Sequence, residues 1–123
     1  MHAKWLLIGA IFAFVGVAAG AFGAHGLAGM LSRDQLAVYE TAVRYELVHA
    51  LAIMIVGVAA QRWPAAGWGR AGWLFAAGTL VFSGSLYALA PTGVRWLGAV
   101  TPVGGVCLLG GWLFAGIAAT RSR

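Results

Sequence analysis

Apolar residues run almost unbroken through four stretches of this chain, and polar residues gather between them. The first stretch runs from Trp5 to about Gly26, with a single Lys4 before it and no charge within it. Crossing a bilayer core takes roughly 20 apolar residues at about 1.5 Å each, so this stretch is long enough to span. A signal peptide is a rival reading, with Lys4 as the basic start, Leu6–Ala18 as the apolar core and Ala19-Gly20-Ala21 as the cut site. The apolar run continues past that cut, which favours a retained span. Gly16, Gly20 and Gly23 put small residues on one side of the helix, where a neighbouring helix can approach closely.

The second stretch opens at Ser32, a good N-cap, with Asp34 in the first turn at the positive end of the helix dipole. No Gly or Pro follows until Gly57, so one long helix is expected from Arg33 to about Gln61, roughly 43 Å long. That exceeds a bilayer core of about 30 Å. Residues 33–41 are therefore expected outside the bilayer or along its surface, and 42–61 inside it. Arg62 to Arg70 reads as a short loop broken by Pro64 and two glycines, with Trp63 and Trp68 suited to the headgroup region. The third span covers about 71–90, ended by Pro91, and Pro91 to Arg95 reads as a tight turn. The fourth covers about 98–119, with Thr101-Pro102 resembling an N-cap and a first-turn proline. The predicted architecture is all-α: an integral membrane four-helix bundle, one domain over residues 1–123, its second helix extending beyond the bilayer at the N-terminal end.

Composition supports that class. Of 123 residues, 62% are hydrophobic and only 9% charged, against about 25% charged in soluble domains. The net charge of +5 does not point to nucleic acid, because the basic residues stand singly at the ends of apolar segments with no basic stripe. They read instead as orientation signals. Lys4, Arg62, Arg70, Arg121 and Arg123 share one side; Arg33, Arg44 and Arg95 share the other, beside all three acids. Five against three places both termini in the cytoplasm. The lone Cys107 excludes an internal disulfide or a cysteine metal cluster.

Helical residues advance by about 100° each. With Arg44 at zero, Arg33, Ala37, Glu40, Val48 and Leu51 fall within about 40° of it, while Glu46 lies near 200°, His49 near 140° and Tyr45 near 100°. If the arginine stripe faces water or headgroups, Glu46 and His49 face into the bundle. A carboxylate there is costly unless paired or protonated, and His49 is within i,i+3 reach. His25, Thr79, Ser83, Tyr87 and Thr101 belong at a similar depth. A polar intramembrane cluster drawn from all four spans near the outer leaflet is therefore expected: His25, Tyr45, Glu46, His49, Thr79, Ser83, Tyr87 and Thr101.

Several chemistries compete for that cluster. Two histidines and a carboxylate are zinc- or iron-type ligands, but the spacing matches no metal motif, and no metal or other cofactor is expected. A proton or ion path needs ionisable groups deeper in the membrane, and none is present. Interhelical hydrogen bonding, a lock between helices, needs nothing more than these residues. Enzymatic chemistry is least supported, because neither a nucleophile–base pair nor two suitable carboxylates can be identified.

Gly20-Ala-Phe-Gly-Ala-His-Gly-Leu27, Tyr39–Ala52, Phe82-Ser-Gly-Ser-Leu-Tyr-Ala-Leu89 and Gly98-Ala-Val-Thr-Pro-Val-Gly-Gly105 together carry a resemblance. In that order they resemble the small membrane family of unknown function that includes bacterial YgdD- and YwdK-type proteins and vertebrate transmembrane protein 256. The resemblance implies a four-helix protein of the bacterial cytoplasmic membrane and supplies no catalytic residues. His25 and His49 fit the family's pattern. Glu46 departs from it, since Gln is frequent there, which implies hydrogen bonding rather than an essential carboxylate. The expectation is a non-enzymatic structural or accessory protein in the lipid bilayer, self-associating or packed in a larger complex. A small transporter or channel with a His/Glu/Tyr vestibule is the alternative, and lipid or quinone binding a further one.

Overall fold

The computed structural model describes residues 3–122, so Arg123, one of the five basic residues weighed for orientation, lies outside the described residues. Four helices follow one another: α1 (Ala3–Phe22), α2 (Arg33–Arg62), α3 (Ala66–Thr92) and α4 (Arg95–Arg121). Each is long and apolar enough to cross a membrane. There is no strand among the described residues. Packing follows chain order, α1 on α2, α2 on α3 and α3 on α4.

The turns differ in places from what the residues suggest. Regular α1 ends at Phe22 and runs on as a π-helical turn, Gly23–Leu27. The Tyr39 hydroxyl donates to the Ala19 carbonyl at 2.6 Å, just before that turn, and a side chain entering the backbone ladder is a known cause of such loosening. Ser32 caps α2 as expected. Its hydroxyl accepts from the Gln35 amide at 3.1 Å while the Gln35 side chain accepts from the Ser32 amide at 2.8 Å, a reciprocal capping box.

The loop expected from Arg62 to Arg70 shrinks to residues 63–65, because α3 begins at Ala66. Gly67 and Gly69 lie inside the helix, and at Gly67 the neighbouring helix uses the space: a Cβ there would stand 2.9 Å from the Ala118 methyl and 3.0 Å from the Phe114 carbonyl oxygen. Trp68 is buried within the bundle. Its indole N–H lies 3.0 Å from both the Trp63 carbonyl and the Ser122 hydroxyl, and Ser122 donates to the same carbonyl at 3.0 Å. One peptide oxygen thus joins the turn, the start of α3 and the end of α4. Helix α3 passes Pro91 and stops at Gly93, whose φ of 66° is a left-handed position that glycine adopts freely.

The fourth helix starts at Arg95, so Thr101-Pro102 lies inside it rather than at its head. Pro102 has no amide hydrogen to give the Gly98 carbonyl, so α4 passes it one hydrogen bond short. The Thr101 hydroxyl bonds back to the Leu97 carbonyl at 3.1 Å instead of capping.

The angular sorting of α2 matches the structure. Arg33, Ala37, Glu40, Arg44, Val48 and Leu51 are all exposed, while Glu46 and His49 are buried. The exposed stripe changes from charged to apolar between Arg44 and Val48.

Glycine sets the helix spacing. Gly16, Gly20 and Gly23 all face α2, against Leu47, Val43 and Tyr39. Gly9, not singled out from sequence, extends the row against Met54 and the Ala50 carbonyl. The α3–α4 contact is closer still. A Cβ at Gly104 would meet the Phe82 backbone, with Phe82 Cα at 2.7 Å. The largest apolar core, with Trp5, Ile53, Val56, Trp68 and Phe75, lies toward the end carrying Lys4, Arg62, Arg70 and Arg121.

Replacing Gly104 by Leu should force α3 and α4 apart and cost about 2 kcal/mol or more, in the range of core overpacking. Gly116→Leu, where nothing lies within 4 Å of an added Cβ, should cost almost nothing. Thermal unfolding in mild detergent, read by near-ultraviolet circular dichroism, compares the two. Equal stability would mean that the close approach at Gly104 does not hold the helices.

Candidate functional site

Of the eight polar residues expected to form one cluster, six are divided between two clefts. Glu46 is 5% exposed, and its Oε1 accepts from the Tyr87 hydroxyl on α3 at 2.7 Å. One turn earlier on α3, the Ser83 hydroxyl donates to the Ala42 carbonyl at 2.7 Å. The Tyr39 ring packs edge-on against Tyr87, with centroids 5.4 Å apart. Thr79 continues the i,i+4 row predicted for α3. It is buried, and its hydroxyl has no hydrogen-bond partner within the protein. A buried unbonded hydroxyl costs about 1–3 kcal/mol, so this group is the polar exception in the region.

Glu46, Thr79, Ser83 and Tyr87 form the floor of a cleft of about 330 Å³ between α1 and α3. Its walls are Ile11, Phe12 and Val15 from α1 and Leu80 from α3. Ile11, Val15 and Leu80 are themselves 50–65% exposed, which puts the mouth on the outer surface of the helices. No basic residue lines the cleft.

His49 faces a different cleft, of about 430 Å³, toward α4. Glu46 and His49 sit three residues apart, yet the two clefts share no lining residue. The expected Glu46–His49 pair is replaced by other partners. The Trp112 indole N–H donates to His49 Nε2 at 3.0 Å, and His49 Nδ1 lies 2.8 Å from the Tyr45 carbonyl oxygen. An indole can only donate, so Nε2 must be the bare nitrogen and Nδ1 must carry the hydrogen it gives to Tyr45. Both ring nitrogens are then occupied by a neutral imidazole. Binding a metal at Nε2 or adding a proton there first requires breaking the Trp112 bond. Tyr45 is half-exposed and stacks on the His49 ring, with its own ring 4.5 Å from that of Phe82.

The two remaining residues of the expected cluster lie elsewhere. His25 is exposed on the π-helical turn, away from Glu46 and His49. Helix α1 ends its regular hydrogen bonding before it, so depth in the sequence did not translate into a place in the core. The Thr101 hydroxyl is 2.6 Å from that of Ser85, which ties α3 to α4 near their shared turn. Among the described residues, no three His, Cys, Asp or Glu side chains come together as a metal site would need.

Sequence reasoning missed Tyr39, Ser85 and Trp112. For Trp112 a signal existed: it lies deep in the fourth apolar stretch, too far from either end for an interfacial anchor. Tyr39 and Ser85 carry no such signal, because only the partner helix gives them an acceptor.

The family model for a "Protein of unknown function (DUF423)" matches residues 19–105, more than half of the chain. The UPF0382 membrane protein SH2409 of Staphylococcus haemolyticus is 46% identical over 89% of this chain and 88% of its own length. The UPF0382 membrane protein YwdK of Bacillus subtilis is 42% identical over 95% of this chain and 96% of its own. The UPF0382 membrane protein SERP0230 of Staphylococcus epidermidis is 43% identical over 95% of each chain. No solved structure matches. Matched along nearly its whole length, and built of four helices that can each cross a bilayer, the chain is a membrane protein belonging to the DUF423 family.

Proposed function

We propose that this protein is a non-enzymatic accessory protein of the bacterial cytoplasmic membrane, one that works through lateral contacts rather than by catalysis or passage. The carrying observation is that the polar groups within the spans are tied across helices. Tyr39 bonds α2 to α1, Ser83 and Tyr87 bond α3 to α2, Ser85 with Thr101 bonds α3 to α4, and Trp112 bonds α4 to α2. Such bonds hold helices in lipid, at about 0.6 kcal/mol each on average. A transport path needs polar groups in continuity, and the Glu46 and His49 clefts share no residue, which weighs against a channel.

Helices α1 and α4 turn large apolar side chains outward, among them Phe14, Val17, Leu109 and Leu113. These faces suit lipid, a second copy or another membrane protein. On this reading, mild-detergent extraction from native membranes yields a homo-oligomer or a defined complex; recovery as a monomer without partners would sink it.

Tyr87→Phe leaves the Glu46 carboxyl without its protein donor. The expected loss is about 1–2 kcal/mol, toward the upper end for membrane hydrogen bonds, measured by denaturing-detergent titration. An unchanged midpoint would remove the lock from the argument.

The charge bias favours both termini in the cytoplasm. In a Cys107→Ser background, a membrane-impermeant thiol reagent applied to intact cells should label Thr92→Cys and spare Ser122→Cys. The reverse pattern would invert the topology.

A further inference from the structure

We infer that the cleft between α1 and α3 is a binding site for a single-chain amphiphile with a hydroxyl headgroup, entering sideways from the bilayer. The class includes long-chain alcohols and monoacylglycerols. The inference stands apart from whether the protein self-associates.

Location comes first. The mouth is formed by exposed apolar residues, Ile11, Val15 and Leu80, together with Gly84, which adds no side chain. A molecule dissolved in lipid reaches such a mouth without crossing water. At about 330 Å³, the cleft is at the small end of ligand sites, which run from roughly 300 to 1,000 Å³. It suits one chain and not the two of a phospholipid.

Headgroup chemistry follows from the floor. Glu46 Oε1 is occupied by Tyr87, and the carboxyl's other oxygen, Oε2, takes no hydrogen bond from the protein. That leaves an acceptor. Thr79 supplies the counterpart, a hydroxyl with no partner in the fold. Thr79 itself lines the cleft, and turning its χ1 by about 120°, from one staggered well to the next, re-aims the hydroxyl. A ligand hydroxyl can donate once, to Glu46, and accept once, from Thr79.

Other heads fit less well. Phosphate and carboxylate meet an acid with no basic residue among the lining side chains, and like charge in an apolar site is strongly disfavoured.

Photolabelling tests the site. The purified protein in mild detergent is exposed to a long-chain alcohol carrying a diazirine midway along its chain, and adducts are mapped by peptide mass spectrometry. Label is expected on α1 around Ile11–Val15, displaced by excess monoolein and not by oleate or phosphatidylglycerol. Gly84→Leu blocks the mouth without disturbing packing, since nothing lies within 4 Å of an added Cβ there; it should lower the labelling at least about tenfold, the equivalent of one good polar contact. Glu46→Gln keeps a hydrogen-bond acceptor and should retain most labelling, whereas Glu46→Leu should lose it. Should Glu46→Leu fail to fold, Gly84→Leu still decides the matter. Label spread over the outward faces of α1 and α4, and unchanged by Gly84→Leu, would mean bulk lipid contact and overturn the site. Displacement by oleate as effective as by monoolein would overturn the hydroxyl assignment.

Discussion

Everything in this structure depends on how closely helices approach when the solvent is lipid. Outside water, burying a leucine against another helix gains little, because lipid tails are equally apolar. Contact must come from fit. This chain obtains it by removing side chains where helices meet: Gly9, Gly16, Gly20 and Gly23 against α2, and Gly67, Gly78, Gly104 and Gly111 between α3 and α4. Once backbones are that near, a short side chain such as Ser85 can reach across to a neighbouring helix. Hydrogen bonds of this kind secure the glycine contacts.

The two halves of the molecule are stabilised differently. Toward the basic end the helices enclose tryptophan, phenylalanine and aliphatic side chains, and the cations lie over aromatic rings, with Lys4 5.0 Å from the Trp5 ring centre and 5.1 Å from that of Trp73. Toward the other end the contacts are polar: tyrosine to carbonyl, tyrosine to carboxyl and serine to threonine. Any gap left among such groups costs more than a gap among alkyl chains. That is why the cleft above Glu46 and Thr79 invites an occupant, while apolar gaps at the other end do not.

Much of the fold was legible from the residues. Four unbroken apolar runs of bilayer length read as helices, since lipid admits only helices and closed β-barrels and barrel strands alternate apolar with polar residues. Ser32 marked the start of α2, and a simple 100° advance sorted Arg44 from Glu46 and His49. Turn boundaries were less legible. Gly67 and Gly69 in the third helix and Pro102 in the fourth look like breakers, yet all three lie inside helices, and at Gly67 the close approach of α4 gives the reason.

The kind of element, its approximate place and the buried face of α2 were determined by sequence alone, because periodicity and solvent preference are local properties. Which polar groups meet was decided only by tertiary structure. Glu46 and His49, close on one helix, look like a pair in one dimension. A difference of about 60° around the axis sends one toward Tyr87 and the other toward Trp112, into clefts that never touch. Partner choice depends on helix rotation and spacing, and the glycines that set both act only when a neighbour is present.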